Sequence, residues 1–358
     1  MRILFLVPYP LREAPSQRFR FEQYFHLLVN RGYTVRTQSF LSSNQWQLFY
    51  KNGNQVLKAF ALIRGYVKRC YALIMAPSFD FVFIHREAAP LGPPAFEWIL
   101  ARIIRKRIIY DFDDAIWLTD RVREPALQKI LKWRQKVRAI CRWSYKVSCG
   151  NEYLRGFALR FNPNAICNPT TIDCEKINSV ESLTNHQPTD TLIIGWTGSH
   201  STLKYLCLIE PVLQEIEKQF PQVSFLVIAD QAPTLRLSRT TFVKWDAVTE
   251  VTDLMKIDIG IMPLPDDEWT KGKCGFKALQ YMSLGIPAVA SPVGVNKIII
   301  NHGVNGFLCH TETEWLVCLK QLITDGNLRH HTGMEGRKKV ISNYSVSSNA
   351  SNFLGLFS

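Results

Sequence analysis

The feature that most constrains this chain is a repeated pairing of a short, wholly apolar run with a polar loop and a helix-like stretch. Residues 3–7 (ILFLV) read as a strand, and after the loop Tyr9–Pro15 a helix-like stretch runs from Ser16 to Asn30. Phe81–Ile84 likewise precedes a helix near 93–105, and Arg107–Tyr110 precedes one near 124–143. Strands that are apolar throughout, rather than alternating, are buried on both faces, as in a parallel sheet with helices above and below. The first half is therefore an α/β unit. The stretch Glu175–Asp190 is polar and aperiodic and ends at a new apolar strand, Thr191–Gly195, so the domain linker falls there. Beyond it, strands at Val223–Ile228, Ile257–Met262 and Ala288–Ala290 alternate with helices near 202–219, 274–284 and 312–324. A chain of 358 residues holds two such domains comfortably. Two α/β sheets facing one another place a ligand cleft at the carboxyl ends of their strands.

Charge divides along the same line. The net +13 arises in residues 1–180, which hold 28 basic and 13 acidic side chains, whereas residues 181–358 hold 15 and 17. A basic half of that size attracts nucleic acid, an anionic membrane or a phosphorylated substrate. Nine single cysteines without a CxxC pair argue against zinc ribbons and a disulfide framework and fit a reducing cytoplasm. The apolar run behind Met1 is too short for a signal segment and stops at Pro8, and no run approaches the roughly 18 apolar residues of a membrane span. Any membrane contact is expected to be peripheral.

Two stretches of the second half carry chemistry. Gly195–Thr202 (GWTGSHST) is a glycine-containing turn from strand to helix, which suits a phosphate through backbone N–H groups; an ordinary turn with Ser201 or Thr202 as N-cap reads equally well. Lys204 lies just beyond it. The more specific stretch is Met262–Ser291, where a strand end opens into a loop and a helix and then Gly285-Ile286-Pro287 starts another apolar strand.

On Met282, Gly285, Pro287 and Val289-Ala290-Ser291 the sequence resembles the GT-B glycosyltransferases of the family 4 type, the group 1 glycosyl transferases. Met1–Phe5, Ser16–Arg20, Asn168-Pro169 with Asp173, and Gly303–Leu308 extend the resemblance over nearly the whole chain. It implies an α/β GT-B fold of two Rossmann-like domains facing across a cleft. An acceptor-side domain would span 1–175 and a nucleotide-sugar domain 190–343, with a C-terminal helix at about 344–358 packing back on the first. It also implies a retaining hexosyltransferase-type reaction, independent of metal and needing no cofactor, on a UDP-, GDP- or ADP-sugar. Residues carried over to the donor side are Gly198 and Lys204 at the diphosphate and Gln280 at the ribose, with Phe276 and Lys277 beside them. Ser199 stands where the family has an arginine, and Gly272 where it has the first glutamate of its paired-glutamate motif. Lys273 and Lys277 flank that place and would supply positive charge to the leaving diphosphate.

The first half offers the acceptor side. Asp111, Asp113 and Asp114 cluster at a strand end; either Asp113 or Asp114 orients an acceptor hydroxyl or contacts the donor sugar, or the trio forms a metal site, or it is a network paired with neighbouring arginines. Such clustered carboxylates should raise one another's pKa and favour partial protonation. Arg86 and Glu87 end another strand, and Arg18 and Arg20 sit at the first loop-helix junction, so all four are candidate acceptor contacts. Residues 121–146 hold nine basic residues against Glu124 alone, with apolar residues interspersed, and suggest a basic amphipathic helix for an anionic membrane surface. These readings lead to a cytoplasmic enzyme, peripheral on the inner face of the plasma membrane, that glycosylates a lipid-linked or polysaccharide acceptor in bacterial cell-surface synthesis. The rivals are an inactive sugar-nucleotide-binding or scaffold protein, and a nucleic-acid binder; no nucleic-acid-binding signature is present, so no nucleic-acid partner is expected.

Overall fold

The computed structural model describes residues 1–51, 53–120, 124–181 and 191–358. The chain forms two compact units: unit 1 comprises Met1–Thr170, Gly272–Cys274 and Asn349–Ser358, and unit 2 comprises Thr171–Lys271 and Gly275–Ser348. The predicted linker begins as a helix, Cys174–Glu181, within unit 2, and residues 182–190 of it lie outside the described residues.

Unit 1 is built on a six-stranded parallel sheet of β1 (Arg2–Val7), β2 (Thr34–Ser39), β3 (Phe81–His85), β4 (Arg107–Phe112), β5 (Lys146–Cys149) and β6 (Ala165–Cys167), in the order β2-β1-β3-β4-β5-β6. Every residue of β3, and every residue of β1 and β4 after the first, is buried, which explains their unbroken apolar runs. Aromatic rings fill one face: Phe5 lies 4.7 Å from Phe83 and 5.6 Å from Phe21, and the C-terminal Phe353 stacks on Tyr24 at 4.3 Å. Each such pair adds about 0.5–1.5 kcal/mol beyond the area it buries. The chain reverses direction across the sheet between β1 and β3, and loops after those strands lie at that switch point.

The helix expected near 124–143 is two helices, Ala126–Lys132 and Lys136–Trp143, because Trp133 takes a left-handed φ of 45° that ends the first. Its charge is partly spent internally: Arg134 forms two 2.7 Å bonds to Glu124, and Lys136 is buried against Glu87. Residues 121–123 lie outside the described residues.

Unit 2 repeats the plan with β7 (Leu192–Gly198), β8 (Val223–Ala229), β9 (Thr240–Lys244), β10 (Ile259–Met262), β11 (Ala288–Ala290) and β12 (Phe307–Leu308), all parallel. Their order is β12-β11-β10-β7-β8-β9, so the switch point lies between β7 and β10. The Gly-Ile-Pro motif now has a physical meaning. The helix Phe276–Ser283 closes in a Schellman motif, with Gly285 at φ +70° and the N–H groups of Gly285 and Ile286 donating to Met282 and Tyr281 carbonyls at 3.0 Å. Pro287 then bars the helix from continuing and delivers the chain to β11.

Candidate functional site

Unit 1 concentrates its charged residues where β3 and β4 end. Asp111, in β4, is 1% exposed, and both its oxygens are engaged: Arg20 Nη2 and Ser148 Oγ (2.6 Å) donate to Oδ1, and Oδ2 lies 2.8 Å from His85 Nδ1. Burial pushes this carboxyl up, but the Arg20 charge and the His85 contact outweigh it and hold it well below the usual carboxylate range. Arg20 is itself 1% exposed, donates to the Asn168 carbonyl as well, and has its basicity raised by Asp111 against the opposing pull of burial. Its assignment to an acceptor is thereby corrected, since the guanidinium is consumed inside unit 1. Arg18 is half-buried, with its guanidinium 4.9 Å from the Phe19 ring.

Arg86, one residue past β3, has a left-handed φ of 59°, a conformation that costs a non-glycine residue on the order of 1 kcal/mol. The turn aims its guanidinium at the loop after β4. Nε and Nη2 donate to Asp113 Oδ1 at 3.0 and 2.8 Å, and Nη2 also to Asp114 Oδ2 at 2.6 Å. The other Asp114 oxygen accepts from Lys273 Nζ at 2.9 Å. Burial raises the Asp114 carboxyl, yet Lys273 and then Arg86 bring it below its ordinary value. The expected rise is therefore corrected for Asp111 and Asp114, whose carboxyls are lowered, because Arg20, Arg86 and Lys273 set three cations against the cluster. Among the described residues both bonds to Asp113 fall on Oδ1, and its carboxylate is 13% exposed.

The segment Gly272–Cys274 is pinned there by more than Lys273. Cys274 Sγ donates to the Asp113 carbonyl at 3.1 Å, and Asn151 Nδ2 to the Lys273 carbonyl at 2.9 Å. The fit leaves no room at Gly150, where a Cβ would come 2.3 Å from Cys274 Sγ. Glu87 pairs with buried Lys136 at 2.6 Å, and its carboxyl is raised by burial against the pull of that lysine. No group of three or more His, Cys, Asp and Glu side chains among the described residues is placed to hold a metal ion.

Sequence reasoning missed Arg69. Fully buried, it donates to the Val7 (2.7 Å), Gln38 (2.9 Å) and Ala88 (2.6 Å) carbonyls and so ties the ends of β1 and β2 to the loop after β3. Contacts 19 to 62 residues apart in sequence leave no local signal.

Unit 2 presents a different surface at its switch point. Gly198 ends β7, and a Cβ there would meet the Trp196 ring at 2.4 Å. The helix begins with Ser199 as N-cap, not Ser201 or Thr202; Thr202 Oγ1 accepts from the Ser199 N–H at 3.3 Å. Lys204 is exposed in a 3-10 turn and lies 5.3 Å from the Tyr205 ring. Lys277 and Phe276, half-buried, start the helix Phe276–Ser283, and Lys277 Nζ stands 5.2 Å from the centre of the Trp196 ring. Gln280 is buried and donates to Glu250 Oε1 at 3.3 Å, which also accepts from Trp245 Nε1 at 3.2 Å. Gly198, Lys277 and Gln280 thus share the carboxyl side of unit 2, and Glu250, missed in the sequence, joins them.

Residues 191–325, from the start of β7 to the end of the helix Glu312–Thr324, match the family model of the glycosyl transferases group 1. The matched residues hold all six strands of unit 2. No curated protein matches the chain in sequence. In fold, the chain resembles sucrose-phosphate synthase from Thermosynechococcus elongatus, with 13% identity and a TM-score of 0.70 over 100% of this chain and 98% of that one. It also resembles Anabaena HepE, solved in complex with UDP and glucose, with 13% identity and a TM-score of 0.66 over 99% and 98%. The catalytic domain of starch synthase IV from Arabidopsis thaliana, bound to ADP and acarbose, gives 11% identity and a TM-score of 0.65 over 100% and 98%. The fold is GT-B.

Proposed function

We propose that the chain is a retaining glycosyltransferase that moves a hexose from a UDP-, GDP- or ADP-sugar to an acceptor hydroxyl, without a metal ion. The observation that carries this reading is the match of residues 191–325 to the group 1 family model, in a unit whose glycine turn and lysine-bearing helix flank the switch point between β7 and β10. In this reading Gly198 and Ser199 present backbone to the diphosphate, Lys204 and Lys277 offset its charge, Gln280 with Glu250 binds the ribose hydroxyls, and Phe276 packs beside them. Asp113 orients the acceptor hydroxyl through Oδ2, held in place by Arg86, with Asp114 and Lys273 fixing the loop. The bond from the sugar C1 to the diphosphate oxygen breaks, a bond from C1 to the acceptor oxygen forms on the same face, and the acceptor proton passes to the departing phosphate. No carboxylate is placed as a nucleophile in this scheme, so the front-face route is preferred to a covalent intermediate.

The acceptor we assign is a lipid-linked or polysaccharide hydroxyl of the bacterial cell surface, met by a cytoplasmic protein at an anionic membrane. The first half of the chain supports this through its charge, with 28 basic and 13 acidic residues up to position 180. Among the described residues no helix is long and apolar enough to cross a membrane.

A second reading, a sugar-nucleotide-binding protein without turnover, is favoured by one observation: Lys273 and Arg86 are both engaged by Asp114. Calorimetric titration with UDP-, GDP- and ADP-sugars, followed by a transfer assay with chelator present, separates the two. Binding of one donor with turnover that chelator leaves intact and Lys204→Ala lowers about tenfold or more is expected. Binding without hydrolysis or transfer supports the second reading, and absence of any donor binding refutes both.

A further inference from the structure

The helix Gln55–Met75 turns its larger apolar residues toward water. Val56, Phe60, Ile63, Val67, Tyr71 and Ile74 recur three and four residues apart and so line one face. All are more than half exposed, from 52% at Tyr71 to 76% at Ile74. The opposite face, buried on unit 1, carries Ala61, Gly65, Arg69 and Ala72. Small residues are needed there because a Cβ at Gly65 would come within 2.3 Å of the Phe40 ring. Contiguous apolar surface of this kind on a folded protein marks an interaction site.

Charge decides the occupant. From Gln23 to Phe79 the chain has no Asp or Glu and seven Lys and Arg, of which Lys58, Arg64, Lys68 and the buried Arg69 lie on this helix, with Arg64 exposed beside Ile63. A second copy of the same face would bring like charges together without compensation, whereas an anionic bilayer answers both the apolar stripe and its basic flank. We propose that Gln55–Met75 is a bilayer-docking helix. It lies in the plane of an anionic lipid surface along its length of about 30 Å, with the six side chains at the boundary between headgroups and acyl chains and the basic residues at the phosphates. Its place differs from residues 121–146, the stretch that sequence alone suggested. The inference stands on the stripe and its charge; only its purpose, holding the chain beside a lipid-linked acceptor, rests on the glycosyltransferase reading.

The test is co-sedimentation of the full chain with vesicles of phosphatidylcholine, alone or mixed with phosphatidylglycerol. Binding to the mixed vesicles only is expected. The double variant Ile63→Glu/Val67→Glu should bind roughly tenfold or more weakly at unchanged thermal midpoint, while Trp133→Ser stays within about twofold. Val56→Ser/Phe60→Ser is the second pair, uncharged, and should also weaken binding. Failure of the wild type to bind either vesicle overturns the proposal, as does undiminished binding by both double variants. So does a wild-type dimer in light scattering that the glutamates split while vesicle binding persists. Titration with UDP-, GDP- and ADP-sugars in parallel keeps the two readings apart: donor binding without vesicle binding sinks the docking helix alone, and vesicle binding without binding of any of the three sinks the donor assignment alone.

Discussion

The carboxyl ends of β4 and β7 differ in how they are finished. After β4, three carboxylates meet three permanent cations and each side chain is largely consumed by its neighbours. At the end of β7 a glycine is held against a tryptophan ring, and the helix Phe276–Ser283, which follows β10, sets a lysine over that same ring and an amide against a carboxylate. The first arrangement is rigid at its base, because breaking the Arg20–Asp111 pair strands a charge that is only 1% exposed. In the proposed reading, the second presents backbone and a lysine to the donor diphosphate. A parallel sheet supplies the same scaffold in both units, and the loop residues alone decide whether its strand ends store charge or present it.

Removing a charge from the first arrangement should have the largest effect. Asp111→Ala leaves Arg20 buried without its anion and is expected to cost about 3–5 kcal/mol in denaturant unfolding; a loss below about 1 kcal/mol would mean that the pair is dispensable. Asp114→Asn, at a more accessible position, should cost about 1–2 kcal/mol, and this gap has a defined pH dependence. The folded carboxyl sits below its ordinary value, so its contribution is complete above the usual carboxylate range and vanishes as the pH falls through the folded value. The wild type and Asp114→Asn should therefore differ by a constant amount above about pH 5 and converge below about pH 4. A gap that widened in acid would reverse the assignment. Lys277→Ala, in the second arrangement, should change stability by no more than about 1 kcal/mol yet weaken donor binding several-fold in calorimetry. Equal stability loss from Lys277→Ala and Asp111→Ala would erase the contrast between the two ends.

The central strands β1, β3, β4, β7, β8, β10 and β11 were legible because burial on both faces writes itself as an apolar run, whereas central β5 (KVSC) is short and half polar and gave no such run. The edge strands β2 (TVRTQS) and β9 (TTFVK) were not, since an edge strand alternates or exposes its side chains and resembles a loop. Of the site, the residues that end a strand or come directly after one, Gly198 and Arg86, Asp113 and Asp114, could be found by position. The pairing of Arg20 with Asp111 could not, because 91 residues separate partners that only the sheet brings together. The helix Gln55–Met75 escaped for a different reason: its apolar spacing serves the outer face, while its packing face is written in alanine and glycine.

Cys274 turns the pinned segment into a clock. Its thiol is buried, donates to the Asp113 carbonyl, and is pushed far above its ordinary pKa by burial, so almost none of it is thiolate at neutral pH. Alkylating reagents modify exposed Cys70 and Cys207 directly, but reach Cys274 only when Gly272–Cys274 lifts away from Gly150 and Asp113. The rate at which Cys274 gains label, followed site by site in a mass spectrometer, then counts how often that short stretch opens, and any ligand that slows the labelling is one that holds it shut.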